Sequence, residues 1–309
     1  MKQQFALQKD FILPRLRALG IVGQLPGFQG NVPIQLKHMF HDVNITRQGG
    51  TGWMDSLDPL FDRISDMYMK TLIGEFGTDH WYQLDGYFNG GTAPWRRRSL
   101  ESENGSNVSH NEAWFQRGKK AYESLIRTDP KAIWSFQGFS FVSWSSEREA
   151  SALKGFIDSV PLGKFVIMDM AWPGPGEWQK WNNASFFGAP FVWTSLHNFG
   201  GTDGMKGDLN RLNRVPHQIL APISTVFGVG GTPEGIDHNC AYYEFLFDSV
   251  FREAPVSDLN QHMARRSNKR YDLGENLVKM KEAHTIRLLL EEAWSLLTNS
   301  VYSTDFMNI

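Results

Sequence analysis

The sequence contains very little cysteine, since Cys240 is the only one among 309 residues. An internal disulfide and a cysteine-rich zinc site are therefore excluded. The sequence also lacks an uninterrupted apolar run of the roughly 18 to 20 residues that a membrane span requires. Its charge is nearly balanced, with 31 Lys and Arg against 33 Asp and Glu, whereas a nucleic-acid-binding surface needs a strongly basic face. We therefore expect a globular protein with no membrane span and no nucleic-acid partner.

The motifs of several enzyme classes are also missing. The sequence contains neither of the phosphate-binding loops G-x-G-x-x-G and G-x-x-x-x-G-K-[ST], and neither the G-x-S-x-G of serine hydrolases nor the H-E-x-x-H of zinc enzymes. Asp169, His197, Asp203 and His238 can be combined into a metal site only on paper, because their spacing matches no ligand pattern. We expect neither a metal ion nor a cofactor.

Aromatic side chains are abundant, with 11 Trp, 8 Tyr and 22 Phe. Flat apolar rings stack on sugar faces, and they also fill large hydrophobic cores. From composition alone, core filling is the favoured interpretation.

Short apolar runs that end at polar or glycine residues recur along the chain. They predict strands at residues 21–25, 81–84, 132–136, 165–168, 191–194 and 225–228. Amphipathic helices are predicted between them, at 111–127, at 146–159 and from Asp58, where Pro59 follows the N-cap. Strands that alternate with helices predict a parallel sheet. The predicted fold is an α/β (β/α)8 TIM-type barrel that lacks its first two units.

From Asp237 onward the pattern changes to long helices. Asp237 is expected to cap a helix that ends near Arg252, and Asp258 a helix that ends near Tyr271, before a third helix over about 275–302. We therefore predict a partial barrel over residues 1–236 and the start of an all-α domain over residues 237–309.

Both ends of the sequence suggest a piece of a longer protein. Apolar residues recur at helical spacing from Phe5 to Leu19, with Pro14 expected to kink this helix and Gly20 to close it. A barrel without its first units exposes the edges of parallel strands. We therefore expect the isolated chain to be prone to aggregation.

Glu234 is the most informative candidate for catalysis. It lies in the segment GGTPEGI at 230–236, directly after a predicted strand. Active sites of TIM barrels are built at the carboxyl ends of the strands. The competing interpretation is a helix cap, and we favour catalysis because Asp237 is available for capping.

Two further strand ends carry candidate residues. Asp85 ends the strand before a Gly-rich aromatic segment that includes Asn89, and it suits either a sugar subsite or an Asx-turn. Trp193, His197 and Asn198 follow the predicted strand at 191–194. These three could stack on a sugar ring and hydrogen-bond its substituents, whereas the alternative for His197 is a bond to a backbone carbonyl. Paired carboxylates at strand ends are typical of glycoside hydrolysis.

At these segments the sequence resembles the α-N-acetylglucosaminidases of glycoside hydrolase family 89. The matching stretches are LPGFQGNVP at 25–33, VNIT at 43–46, EFGTDH at 75–80, LHNFGG at 196–201 and TPEGI at 232–236. Shorter matches follow in the helical part, with ARR at 264–266, RY at 270–271, AW at 293–294 and SVY at 300–302. The resemblance runs along the whole chain in the same order.

The resemblance implies a catalytic barrel followed by an all-α domain, and a retaining mechanism that uses two carboxylates. It implies a substrate with terminal α-N-acetylglucosamine, such as heparan sulfate. Glu234 falls on the family's nucleophile motif. The predicted substrate-binding residues are Asn89, Trp193, His197 and Asn198.

The sequence departs from the family at the acid/base position. The family's D-T-F-N-E motif corresponds here to Asp85-Gly86-Tyr87-Phe88-Asn89-Gly90, so that its glutamate falls on Asn89 or Gly90. Three explanations stay open: Asp85 takes the role, a nearby glutamate (Glu101, Glu103 or Glu112) takes it, or the protein is a weak or silent sugar-binding relative. We favour an active enzyme, with Asp85 as the acid.

Four N-x-[ST] sequences occur, at Asn44, Asn104, Asn107 and Asn183. They suit a glycosylated lysosomal or secreted protein, whose signal peptide is expected upstream of this sequence. The sequence leaves a homo-oligomeric state open.

Overall fold

The structure is a computed structural model that describes residues 2–48, 50–85, 110–141, 146–171, 176–181, 186–197, 207–220, 224–235, 238–270 and 281–303. Its helices are α1 (Lys2–Leu7), α2 (Leu13–Ala18), α3 (Leu36–Met39), α4 (Pro59–Phe76), α5 (His110–Ile126), α6 (Glu147–Asp158), α7 (Leu209–Gln218), α8 (Cys240–Ser249), α9 (Leu259–Arg270) and α10 (Lys281–Asn299). Its strands are β1 (Gln24–Pro26), β2 (Asn31–Val32), β3 (Ile45–Gln48), β4 (Thr51–Met54), β5 (Trp81–Gln83), β6 (Ile133–Gln137), β7 (Phe165–Ala171), β8 (Phe191–Ser195) and β9 (Val226–Gly231).

The six predicted strands are formed, as β1 and β5 to β9, and the three predicted helices between them are formed as α4, α5 and α6. Local capping explains two of the helix starts. The Asp58 side chain accepts the N–H of Leu60 at 2.8 Å, before a first turn that contains Pro59. Ser146 and Glu149 form a reciprocal capping box at the start of α6.

The chain divides into two compact units, of which unit 1 comprises Met1–Asp169 and Glu177–Val192. Its main sheet pairs β1 with β5, β5 with β6 and β6 with β7, each in parallel. In this register Tyr82 lies between Leu25 and Trp134. On the far side of β7, Ile167 donates its N–H to Pro190, the residue before β8. These parallel pairs bring the carboxyl ends of the strands to one edge of the sheet.

Aromatic rings form much of the core of unit 1. Trp134 meets Phe156 edge to face at 5.2 Å, and Phe156 meets Phe165 in the same way at 5.3 Å. Edge-to-face packing is a favourable geometry for buried rings. Core filling, the interpretation favoured from composition, therefore describes these rings.

A three-stranded antiparallel sheet in unit 1 was not predicted from the sequence. Its strand order is β2-β4-β3. Trp53 on the central strand pairs with Asn31 of β2 on one side and with Thr46 of β3 on the other. The strands have two to four residues, too few for an alternating pattern to be recognised. The pair of glycines between the β3 and β4 segments is the signal that could have revealed the hairpin.

The predicted kink near Pro14 takes a specific form. Residues Gln8–Ile12 adopt a π-helical turn between α1 and α2. Because proline has no N–H to continue the α-helical ladder, a widened turn just before it accommodates the ring. Leu19 is the C-cap, and Gly20 follows with φ of 75°, so glycine closes the helix as expected.

Unit 2 comprises Met170–Gly176 and Trp193–Ile309. Within it, Thr232 donates its N–H to the carbonyl of Ser195 at 2.9 Å, which bonds the end of β8 to the residue that follows β9. Helix α9 is capped as predicted, because Asp258 accepts the N–H of Gln261 at 2.9 Å. The missed helix α7 begins after Asp208, whose side chain accepts the N–H of Arg211.

The predicted capping role of Asp237 is wrong. Helix α8 begins at Cys240, and its N-cap is Asn239, whose side chain accepts the N–H of Tyr242 at 3.2 Å. Asn and Asp are both strong N-cap residues, so the sequence alone did not separate the two positions. Asp237 and the predicted domain boundary after residue 236 lie outside the described residues, and the boundary stays a prediction.

No helix in the described part of the chain is long and apolar enough to cross a bilayer.

Candidate active site

Asp85 is held at the carboxyl end of β5 in unit 1. One oxygen of its buried carboxylate accepts the backbone N–H of Gln137, the last residue of β6, at 2.8 Å. The other accepts the side-chain amide of Gln83. Burial raises the pKa of Asp85, and the two hydrogen bonds oppose this shift. A buried carboxyl group with a raised pKa keeps its proton to higher pH, which is a property of a general acid.

Asp169 is another buried carboxyl group of unit 1, and the sequence reasoning did not include it among the catalytic or substrate-binding residues. It lies near the end of β7 with 0% of its surface exposed. Its two oxygens accept the backbone N–H groups of Glu177 at 2.9 Å and Trp178 at 3.1 Å. Burial raises the pKa of Asp169 to about 7, against the effect of these two donors. The side chain therefore holds the segment after β7 onto the strand.

This raised pKa predicts a pH-dependent stability. An unfolded Asp titrates near 3.8, so the stabilisation linked to the protonated Asp169 is fully present below that pH. It is lost as the pH rises through about 7. Between pH 4 and pH 8, we expect the Tm of wild type to fall by several degrees relative to the Tm of Asp169→Asn.

Thermal melting of paired samples across this pH range measures the difference. Asp42→Asn, on an exposed turn, serves as the control and is expected to follow wild type at every pH. A constant difference in Tm for Asp169→Asn would contradict the assignment.

Glu234 lies in unit 2, three residues after β9. Its side chain is half-buried. The bond from Thr232 to Ser195 fixes the start of this segment, and His238 contacts the carbonyl of Gly235 through Nε2 at 2.8 Å beyond it. Gly235 has φ of 106°, a backbone conformation that residues with a Cβ rarely adopt. This explains why a glycine follows the glutamate. Glu234 thus follows a strand end as predicted.

Trp193 and His197, two predicted substrate-binding residues, are both buried in unit 2. Trp193 is 1% exposed, and its indole N–H has no hydrogen-bond partner among the described residues. His197 is 4% exposed, and its ring stacks on Tyr242 with 3.8 Å between the centroids. Their contact with a sugar stays a prediction. Asn89 and Asn198, the other two, lie outside the described residues.

Of the other candidate acids, only Glu112 is among the described residues. Glu112 is exposed in the first turn of α5, where it accepts a hydrogen bond from Gln116. Glu101 and Glu103 lie outside the described residues. Among the residues with a described position, no three His, Cys, Asp or Glu side chains are grouped so that they could hold a metal ion.

Comparison with known proteins places the chain in a family. Residues 1–253 match the sequence model of the α-N-acetylglucosaminidase (NAGLU) tim-barrel domain. Human α-N-acetylglucosaminidase is 30% identical over 303 residues, which cover 94% of this chain and 37% of the human protein.

Solved structures of a bacterial protein show the same fold. The family 89 glycoside hydrolase of Clostridium perfringens in complex with PUGNAc superimposes with a TM-score of 0.73 at 21% identity, covering 94% of this chain and 30% of the bacterial one. A variant of that protein with two glutamates changed to glutamine, in complex with its substrate GlcNAc-α-1,4-galactose, gives 0.73 at 20% identity, covering 95% and 30%.

The TIM-type fold predicted from the sequence is thereby confirmed, and so is the resemblance on which the family assignment rested. The chain spans 37% of the length of the human relative. It belongs to the α-N-acetylglucosaminidase family, through the tim-barrel domain that its residues 1–253 match.

Proposed function

We propose that the full-length protein is a retaining exo-glycosidase that removes terminal, non-reducing α-N-acetylglucosamine, with Glu234 as nucleophile and Asp85 as general acid and base. One observation carries the proposal: Glu234 lies just past the carboxyl end of β9, on a segment bonded to the end of β8. In a TIM barrel this end of the strands forms the active site. Family membership supplies the reaction class.

The two carboxyl groups divide the reaction between them. The Glu234 carboxylate attacks the anomeric carbon while the bond to the leaving oxygen breaks and Asp85 gives that oxygen its proton. The ionised Asp85 then takes a proton from water, which attacks the anomeric carbon and releases Glu234. Two inversions at one carbon leave the product with the α configuration of the substrate.

The proposed substrates are heparan sulfate-like glycans or glycoconjugates that end in α-N-acetylglucosamine. The support comes from the relatives, since the human one is an α-N-acetylglucosaminidase and the bacterial one is seen with GlcNAc-α-1,4-galactose. A lysosomal or secreted location belongs to the same proposal and is supported by the four glycosylation sequences. Of these, only Asn44 is among the described residues. It is half-buried, and its Nδ2 donates a hydrogen bond to the Asp55 carboxylate at 3.2 Å.

A second candidate function is a silent sugar-binding relative that has lost the reaction. The departure from the D-T-F-N-E motif favours it, because Asn89 and Gly90 carry no carboxyl group. This alternative predicts binding of N-acetylglucosamine without turnover. It also predicts that Glu234→Gln changes the affinity only modestly.

The anomeric form of the first product tests the proposal. Proton NMR is recorded during hydrolysis of an aryl α-N-acetylglucosaminide by the full-length protein, before the free sugar equilibrates in water. The α anomer is expected to appear first. Initial release of the β anomer would refute the retaining mechanism, and GlcNAc binding without hydrolysis would establish the silent relative.

A further inference from the structure

The ring of Tyr242 packs face to face on His197 in the interior of unit 2. The two ring planes are tilted by 17°, and their centroids are 3.8 Å apart. Tyr242 lies in the first turn of α8 and is 5% exposed. The ring of Tyr243 lies nearly perpendicular to the same His197 ring, with 6.0 Å between the centroids. The orientation of the imidazole is therefore set largely by the start of α8.

The backbone of Gly207 closes this pair. Gly207 has φ of 121°, and a Cβ at this position would lie 2.6 Å from the Tyr242 ring and 2.9 Å from Cε1 of His197. Real Cβ atoms do not approach ring atoms so closely. The backbone of Gly207 thus lies directly against both stacked rings, and a side chain at this position would displace them.

The Tyr242 hydroxyl contacts Ser195, the last residue of β8. It shares a hydrogen bond with Oγ of Ser195 at 2.5 Å, between two buried side chains. The carbonyl of the same Ser195 accepts the N–H of Thr232 at 2.9 Å, two residues before Glu234. Ser195 is therefore bonded to α8 through its side chain and to the Glu234 segment through its backbone.

We propose that Tyr242 is a positioning residue for the reaction: its ring orients His197, and its hydroxyl holds the end of β8, through Ser195, against the segment that carries Glu234. This inference rests on the proposed function. Tyr242 is given no contact with the sugar and acts through its two neighbours. Positioning matters because a nucleophile displaced by about 1 Å can lose on the order of 100-fold in rate.

Removing the hydroxyl separates positioning from general stability. Tyr242→Phe and Ser195→Ala are each expected to lower kcat about tenfold, with KM changed by less than about twofold. The double variant is expected to lose no more than either single one, because both changes remove the same bond. Tyr122→Phe is the matched control, since its buried hydroxyl donates to the carbonyl of Ala132 in unit 1. It is expected to lower Tm to a similar degree and to leave kcat unchanged.

Hydrogen exchange of the Thr232 amide tests the positioning claim without any reliance on turnover. In both Tyr242→Phe and Ser195→Ala this amide is expected to exchange at least about fivefold faster than in wild type, while Tyr122→Phe leaves it unchanged. Unaltered exchange in the two variants would overturn the inference, as would additive losses of kcat. If the Thr232 amide exchanges faster in the two variants but the wild-type protein shows no turnover, the proposed function fails while the structural link stands.

Discussion

Replacing Glu234 by glutamine is expected to lower kcat on an aryl α-N-acetylglucosaminide by about 10³-fold or more. The amide has nearly the same size as the carboxylate but cannot form the covalent bond to the anomeric carbon. KM is expected to change little, since the bond from Thr232 to Ser195 that fixes the start of the segment is made by the backbone. An activated aryl leaving group is used so that the proton donor does not limit the rate.

Azide gives this prediction a positive signal. In Glu234→Ala the missing carboxylate leaves space beside the anomeric carbon, and azide is expected to enter it and restore consumption of the activated substrate. Because azide then takes the place of the nucleophile, the product is the β-glycosyl azide, which NMR identifies. Glu253→Gln, an exposed position in unit 2, serves as the control with wild-type kinetics. Near-wild-type turnover in Glu234→Gln would remove Glu234 from the chemistry.

The large elements of this fold could be predicted because their causes are local. The helix that starts after Asp58 is specified by a cap and a proline within three residues, and the strands by short apolar runs. The β2-β4-β3 sheet was missed because its strands are too short to show a period. The wrong cap at Asp237 shows the limit of local reasoning, since two capping residues lay two positions apart.

The candidate site could be predicted only where a residue follows a strand directly. Glu234 and Asp85 were predicted in that way, and their catalytic roles stay predictions. Tyr242 was missed because its partner Ser195 lies 47 residues earlier in the chain, and Tyr242 itself lies on a helix. The burial of Asp169 was equally invisible, because the donors to its carboxylate are backbone N–H groups, which every segment possesses.

Asp85→Asn is expected to produce a loss that depends on the leaving group. With GlcNAc-α-1,4-galactose, whose sugar alkoxide departs poorly, the rate is expected to fall by about 10² to 10⁴-fold, the contribution of a general acid. With a dinitrophenyl glycoside, whose leaving group needs no proton, bond cleavage is expected to slow by less than about tenfold. Asparagine still accepts the N–H of Gln137 through its Oδ1, so the link between β5 and β6 is retained.

The pH profile of kcat/KM provides the second readout for Asp85. The protonated form is the active one, so the rate falls as the pH rises through the pKa of this group. Because burial raises that pKa, the falling limb is expected above the range of an exposed Asp. In Asp85→Asn the limb should disappear, since no proton is left to titrate.

Glu112→Gln is the competing variant for the same assay, because Glu112 is the only other candidate acid with a described position. It is expected to keep both the wild-type rate on the disaccharide and the falling limb. If Glu112→Gln instead shows the leaving-group-dependent loss, the proton comes from α5 rather than from the end of β5. Equal losses of Asp85→Asn on both substrates would mean that Asp85 is not the proton donor, and would favour a donor in residues 86–109.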